Sequence, residues 1–127
     1  MTLLKNRLSD KTPADMISDQ YLLLEINKGK VVMDSWSMPW LTKKGHKVFL
    51  QAPLQVRAER VAKRSKISVS EARKTIRAKD NDTRKLFKRI YGFDIARDHE
   101  VFDQKIDTHT QSAREITKLL AATIRPA

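Results

Sequence analysis

Arginine is the residue type with chemistry to offer in this sequence, and its spacing is helical. Arg57, Arg60 and Arg64 fall within an arc of roughly 60° on an ideal helix, where each residue turns about 100°. Relative to Arg73, Arg77 lies at roughly 40°, Arg84 at roughly 20° and Lys88 at roughly 60°. Ala72, Ile76, Leu86, Phe87 and Ile90 fall on the opposite side, between roughly 220° and 320°. Two helices would thus each present a row of guanidinium groups. A guanidinium is a planar fork that binds phosphate oxygens in pairs and keeps its charge when dehydrated. Phosphoryl transfer asks a protein mainly to position groups and neutralise the charge developing on the moving phosphoryl. Convergent arginines suit that task. A solvated basic helix face is the plainer reading of the same pattern.

The charge is local. The 127 residues hold 26 Lys+Arg against 15 Asp+Glu, a net +11. The segment Arg57–Arg97 alone holds 14 against 5, a net +9, and the rest is nearly balanced. Something anionic is expected to meet that segment. The length fits one domain, and 40% hydrophobic with 32% charged residues suits a folded globule rather than a disordered tail. No run approaches the roughly 18 apolar residues of a membrane span. Met1–Asp19 lacks the apolar core of a secretory signal, so a cytoplasmic location is expected. With no cysteine there is neither a disulfide nor a thiolate zinc site. His46, His99 and His109 have no metal-ligand spacing and are assigned to the surface. Only three glycines occur, Gly29, Gly45 and Gly92, which excludes a glycine-rich phosphate loop within these residues.

The elements that must carry the arginines follow from local signals. Thr12-Pro-Ala-Asp15 reads as a helix start, with Thr as cap and Pro at N1. Ile17, Tyr21 and Leu24 follow at i, i+4 and i+7, and Lys28-Gly29 is the stop. Lys30–Asp34 (KVVMD) reads as a buried strand ending in a carboxylate, and Ser35–Leu41 as a loop or short turn holding both tryptophans. His46–Gln51 is a second strand. Pro53 at N1 opens a helix to about Arg64. Ser68-Val-Ser-Glu71 is a capping box opening the next helix, which Asp80-Asn-Asp82 is expected to break or bend before Gly92 stops it. A third strand is centred near Lys105–Thr108. Ser112-Ala-Arg-Glu115 caps a last helix with Ala113, Ile116, Leu119 and Leu120 as its inner stripe. Strands joined by long helical crossovers favour a parallel α/β sheet.

The segment Val48–Arg64 (VFLQAPLQVRAERVAKR), continued by Ile67–Ala72 (ISVSEA), resembles the strand-to-lid region of archaeal and bacterial cytidylate kinases. Lys88–Ile95 (KRIYGFDI), Phe102–Thr108 (FDQKIDT) and Lys28–Asp34 resemble further motifs of that family. The resemblance covers about residues 15–125. It implies an α/β class: a partial P-loop kinase-like fold of about three parallel strands flanked by helices, with a helical arginine-rich lid. It divides a single domain 1–127 into acceptor-side helices (1–29), core strands (30–51), basic lid helices (52–97), and a last strand with C-terminal helix (98–127). It implies phosphoryl transfer from ATP to CMP or dCMP with Mg²⁺. By the same resemblance Asp34 helps hold the Mg²⁺ shell through bound water. Arg60 and Arg64 face the ATP base and phosphates, with Arg57 joining them or pairing with an acid. Arg77 is the first lid arginine, and Arg84 is the best candidate for the second. Thr108 ends the strand whose following loop lies near the adenine.

The sequence departs from the family pattern in places. Gly-Arg often follows the strand acid, the Arg reaching the monophosphate; here Ser35-Trp36 follows Asp34, and Trp36 is a candidate to stack on a base. Asp107 replaces the usual Asn before Thr108. No G-x-x-x-x-G-K-[ST] occurs, so the loop whose backbone N–H groups cradle phosphates is missing from these residues. The chain is therefore expected to be incomplete or inactive alone. Its expected partners are nucleotide phosphates, with a P-loop-bearing segment or self-association across exposed strand edges. The alternatives are a non-catalytic kinase remnant that binds RNA or another polyanion, and a protein-interaction domain. Few aromatics stand near the basic face for base stacking, only Phe87, Tyr91 and Phe93.

Overall fold

A computed structural model describes residues 14–124. In chain order they form α1 (Ala14–Lys28), a short α2 (Met38–Leu41), β1 (Val48–Gln51), α3 (Leu54–Ser65), α4 (Val69–Tyr91), β2 (Gln104–Asp107) and α5 (Ala113–Thr123). The expected cap at Thr12 lies outside the described residues. α1 ends as expected at Gly29, whose φ of 78° is one that a side chain disfavours.

β1 and β2 pair in parallel, from Val48 opposite Gln104 to Gln51 opposite Asp107. A parallel pair needs a long crossover, and α3 and α4 lie within it. Among the described residues the sheet has two strands rather than the expected three. Lys30–Asp34 is not a strand, and Val32 is wholly exposed at 105%. An apolar run becomes a buried strand only where a neighbour supplies ladder hydrogen bonds, and none runs beside it among the described residues.

The helices differ from expectation at three points. Pro53 is the N-cap of α3 rather than N1, with φ −56° and ψ 150°. Its fixed φ suits either position, and ψ decides. α4 runs unbroken through Asp80-Asn81-Asp82. Short polar side chains break helices by competing for nearby backbone groups, but Asp80 is occupied by Arg57. The outward and inward faces of α1 are reversed: Ile17, Tyr21 and Leu24 are exposed, whereas Asp19 is buried. Hydrogen bonds from Ser37 and Tyr91 hold Asp19 on the inner side.

The described residues fall into two compact units, and α4 contributes to both. One unit draws on Met1–Gly45 and Asp82–Val101. Met38, Leu86 and Phe87 are buried in it. Tyr91 stacks on Phe93 at 5.3 Å, and Phe93 on Trp40 at 5.2 Å. The other unit draws on His46–Asn81 and Phe102–Ala127. There α3 and the start of α4 meet through Ala58, Ala62, Ala72 and Ile76, packed round by Leu54, Val61, Ile67 and Val69. Lys66, left-handed at φ 56°, closes α3. Phe49 of β1 lies 5.0 Å from Phe102. The box at Ser112 and Glu115 forms completely and starts α5. Of the expected stripe on α5 only Ile116 is buried and Leu120 half-buried; Ala113 and Leu119 are exposed. The helix is anchored along a narrower line than its composition allows.

Candidate functional site

The carboxyl ends of β1 and β2 are tied together by Thr108. Its N–H donates to the Gln51 carbonyl at 2.8 Å, and its hydroxyl donates to the same oxygen at 3.2 Å. Arg60 reaches this corner from α3. Its Nη1 donates to the Thr108 hydroxyl and its Nη2 to the Thr108 carbonyl, both at 2.8 Å. Both acceptors are uncharged, so the guanidinium is oriented without being neutralised. The carboxyl ends of parallel strands are where open α/β sheets bind ligands. Arg64 and Arg77 are exposed and form no ion pair among the described residues. Their charge is free for an anion.

Two candidate arginines are already paired. Arg57 donates through Nη2 to both carboxylate oxygens of Asp80, at 3.1 and 3.0 Å, and so fastens α3 to α4. Of the two expectations for Arg57, it is the pairing with an acid that forms. Arg84, in the other unit, forks onto Asp94, Nε to Oδ1 at 2.8 Å and Nη2 to Oδ2 at 2.7 Å. The Arg84 side-chain hydrogen bonds hold the Asp94 carboxyl down at about 2, helped by the Ala96 N–H. The Arg84 guanidinium is in turn raised by its bonds to Asp94.

Asp34 and Trp36 lie together on the loop that leads into α2, both exposed. Ser35 shapes this loop by accepting from the N–H groups of Ser37 and Met38, each at 3.2 Å. Among the described residues no three His, Cys, Asp or Glu side chains gather as a metal-ligand group. Asp34 stands as a lone carboxylate. No helix among the described residues is long and apolar enough to cross a membrane.

Sequence reasoning missed two acids. Asp94 lies ten residues from Arg84, beyond helical spacing. Asp19 finds Ser37 and Tyr91 only in three dimensions. Phe87, Tyr91 and Phe93, the few aromatics expected near the basic face, pack on one another.

The model of the cytidylate kinase-like family matches residues 9–110. The chain belongs to the cytidylate kinase-like family. It is 45% identical over 80 residues to a cytidylate kinase of Methanopyrus kandleri, covering 63% of this chain and 41% of that one. It is 38% identical over 98 residues to a cytidylate kinase of Pyrococcus horikoshii, covering 76% and 50%. With a cytidylate kinase of Aeropyrum pernix the identity is 30% over 118 residues, covering 91% and 68%. The chain spans half or less of the length of the first two of these curated relatives. No solved structure matches it significantly. The cytidylate kinase-like family is thus met here as a mixed helical fold with a small parallel sheet.

Proposed function

We propose that this chain is the acceptor-and-lid part of a cytidylate kinase-like phosphotransferase. It binds CMP or dCMP and the phosphates of ATP. Turnover requires a P-loop-bearing segment, which its 127 residues do not contain. The observation that carries this reading is Arg60 held by Thr108 at the carboxyl ends of β1 and β2, with its charge unneutralised. Arg60 and Arg64 take the triphosphate side, and Arg77 contacts the phosphoryl in transit. Arg84 joins them if phosphate competes successfully with Asp94. Arg57 acts from its pair with Asp80, by holding α3 on α4. Thr108 borders the adenine, and Trp36 stacks on the acceptor base.

Mg²⁺ bound with ATP would offset phosphate charge there. It keeps several waters and needs only one or two carboxylates. A lone exposed Asp34 fits that requirement through a bound water. The P-loop segment's strand pairs along the open edge of β1; self-association across that edge is the competing occupant. A cytoplasmic location accords with nucleotide substrates.

A coupled assay of CMP-dependent ADP formation tests the reading, with calorimetric CMP titration beside it. The pure chain is expected to bind CMP and to show no turnover until a strand-GxxxxGK[ST]-helix segment is added. Turnover by the pure chain would overturn the P-loop requirement. Absence of CMP binding, alone or completed, would overturn the acceptor assignment.

A further inference from the structure

Asp19 is a buried carboxylate with no part in the chemistry above, at 7% exposure in the middle of α1. A buried charge is costly unless its oxygens are hydrogen-bonded. Here each oxygen has a donor: the Ser37 hydroxyl reaches Oδ1 at 2.6 Å, and the Tyr91 hydroxyl donates to Oδ2. These donors come from places far apart in sequence. Ser37, itself 2% exposed, ends the loop bearing Asp34 and Trp36, and its N–H is held by Ser35. Tyr91 is the last residue of α4, the helix that carries Arg84. Its ring is fixed by stacking on Phe93, which stacks on Trp40.

We propose that Asp19 is a positioning residue, whose carboxylate fastens the Asp34–Ser37 loop to the end of α4. The loop's direction, and so that of Trp36, is set by this junction. The part played by Trp36 at the acceptor base rests on the proposed function; the positioning of the loop does not. An apolar residue at 19 could fill the space but could not accept two hydroxyl protons. The Ser37 hydroxyl would then keep only its 3.4 Å contact with the Ser35 hydroxyl, and the half-buried Tyr91 hydroxyl would lose its acceptor.

The chain has two tryptophans, one on the loop and one in the aromatic stack, so 5-fluorotryptophan labelling gives one reporter for each. In Asp19→Asn and Tyr91→Phe the Trp36 resonance is expected to shift while that of Trp40 stays in place. CMP affinity is expected to fall. Triphosphate affinity should not change. If Asp19→Asn does not fold, Tyr91→Phe and Ser37→Ala, each removing one bond, decide the matter. An unmoved Trp36 resonance in folded variants overturns the proposal, as does an equal shift of both tryptophans. If Trp36 shifts but the unaltered chain binds no CMP, the positioning stands and the acceptor reading fails.

Discussion

Arg60 gives both of its terminal nitrogens to a single residue, Thr108, at 2.8 Å to the hydroxyl and 2.8 Å to the carbonyl. The hydroxyl in turn donates to Gln51. A guanidinium aimed in this way keeps its charge for another anion, because its partners carry none. Lysine has no fork and cannot reproduce the pair of bonds. Arg60→Lys should weaken ATP binding by the completed enzyme about tenfold, leaving CMP binding intact. Thr108→Val should act in the same direction and less strongly. Calorimetric titration with each nucleotide checks both, and unchanged ATP affinity in Arg60→Lys would count against the assigned role.

The free and the paired arginines should separate in a stability assay. Arg64 and Arg77 are exposed and unpaired among the described residues, so alanine at either should change stability by no more than about 0.5 kcal/mol. Arg57 and Asp80 are each more than a third exposed, so breaking that pair should cost about 0.2–1 kcal/mol. Urea unfolding of the three variants measures this. Loss of phosphate affinity should rank the other way, larger for Arg64 and Arg77 than for Arg57.

Acid should reveal the Arg84–Asp94 pair. The Asp94 carboxyl lies at about 2 when folded, against 3.8 for an ordinary one. Between those values the unfolded chain binds the proton that the folded chain refuses, so stability rises with pH there. The contribution is complete above the ordinary value and disappears as pH falls towards 2. Thermal midpoints of the unaltered chain and Asp94→Asn should therefore converge at low pH and diverge above about 4. Parallel curves would contradict the pairing.

Packing makes a harsher prediction. Leu86 is the largest fully buried side chain on α4. Leu86→Ala should cost about 2–5 kcal/mol through lost burial and the cavity left behind. Ala58, wholly buried where α3 meets α4, admits no larger group, and Ala58→Leu should cost about 1–3 kcal/mol by overpacking. Denaturant titration reads both.

Much of this molecule is determined locally. Gly29 and Gly92 stop helices because their left-handed backbone costs a glycine nothing. Ser112 and Glu115 start one because each satisfies the other's backbone N–H. The apolar side of α4 is set by residue spacing, and Ala72, Ile76, Leu86 and Phe87 are all buried. What a residue does when its partner is distant is decided only by the fold. Val31-Val32-Met33 has the composition of a buried strand, yet composition supplies no neighbour, and no strand pairs with the segment among the described residues. Asp80 looks like a helix breaker until Arg57 takes its carboxylate. Asp19 lies 72 residues from Tyr91, and no periodicity links them. Nor can the arginines be sorted by spacing, since all share the same helical faces. Their sorting into oriented, paired and free groups depends on which oxygen the tertiary structure sets within about 3 Å of each fork.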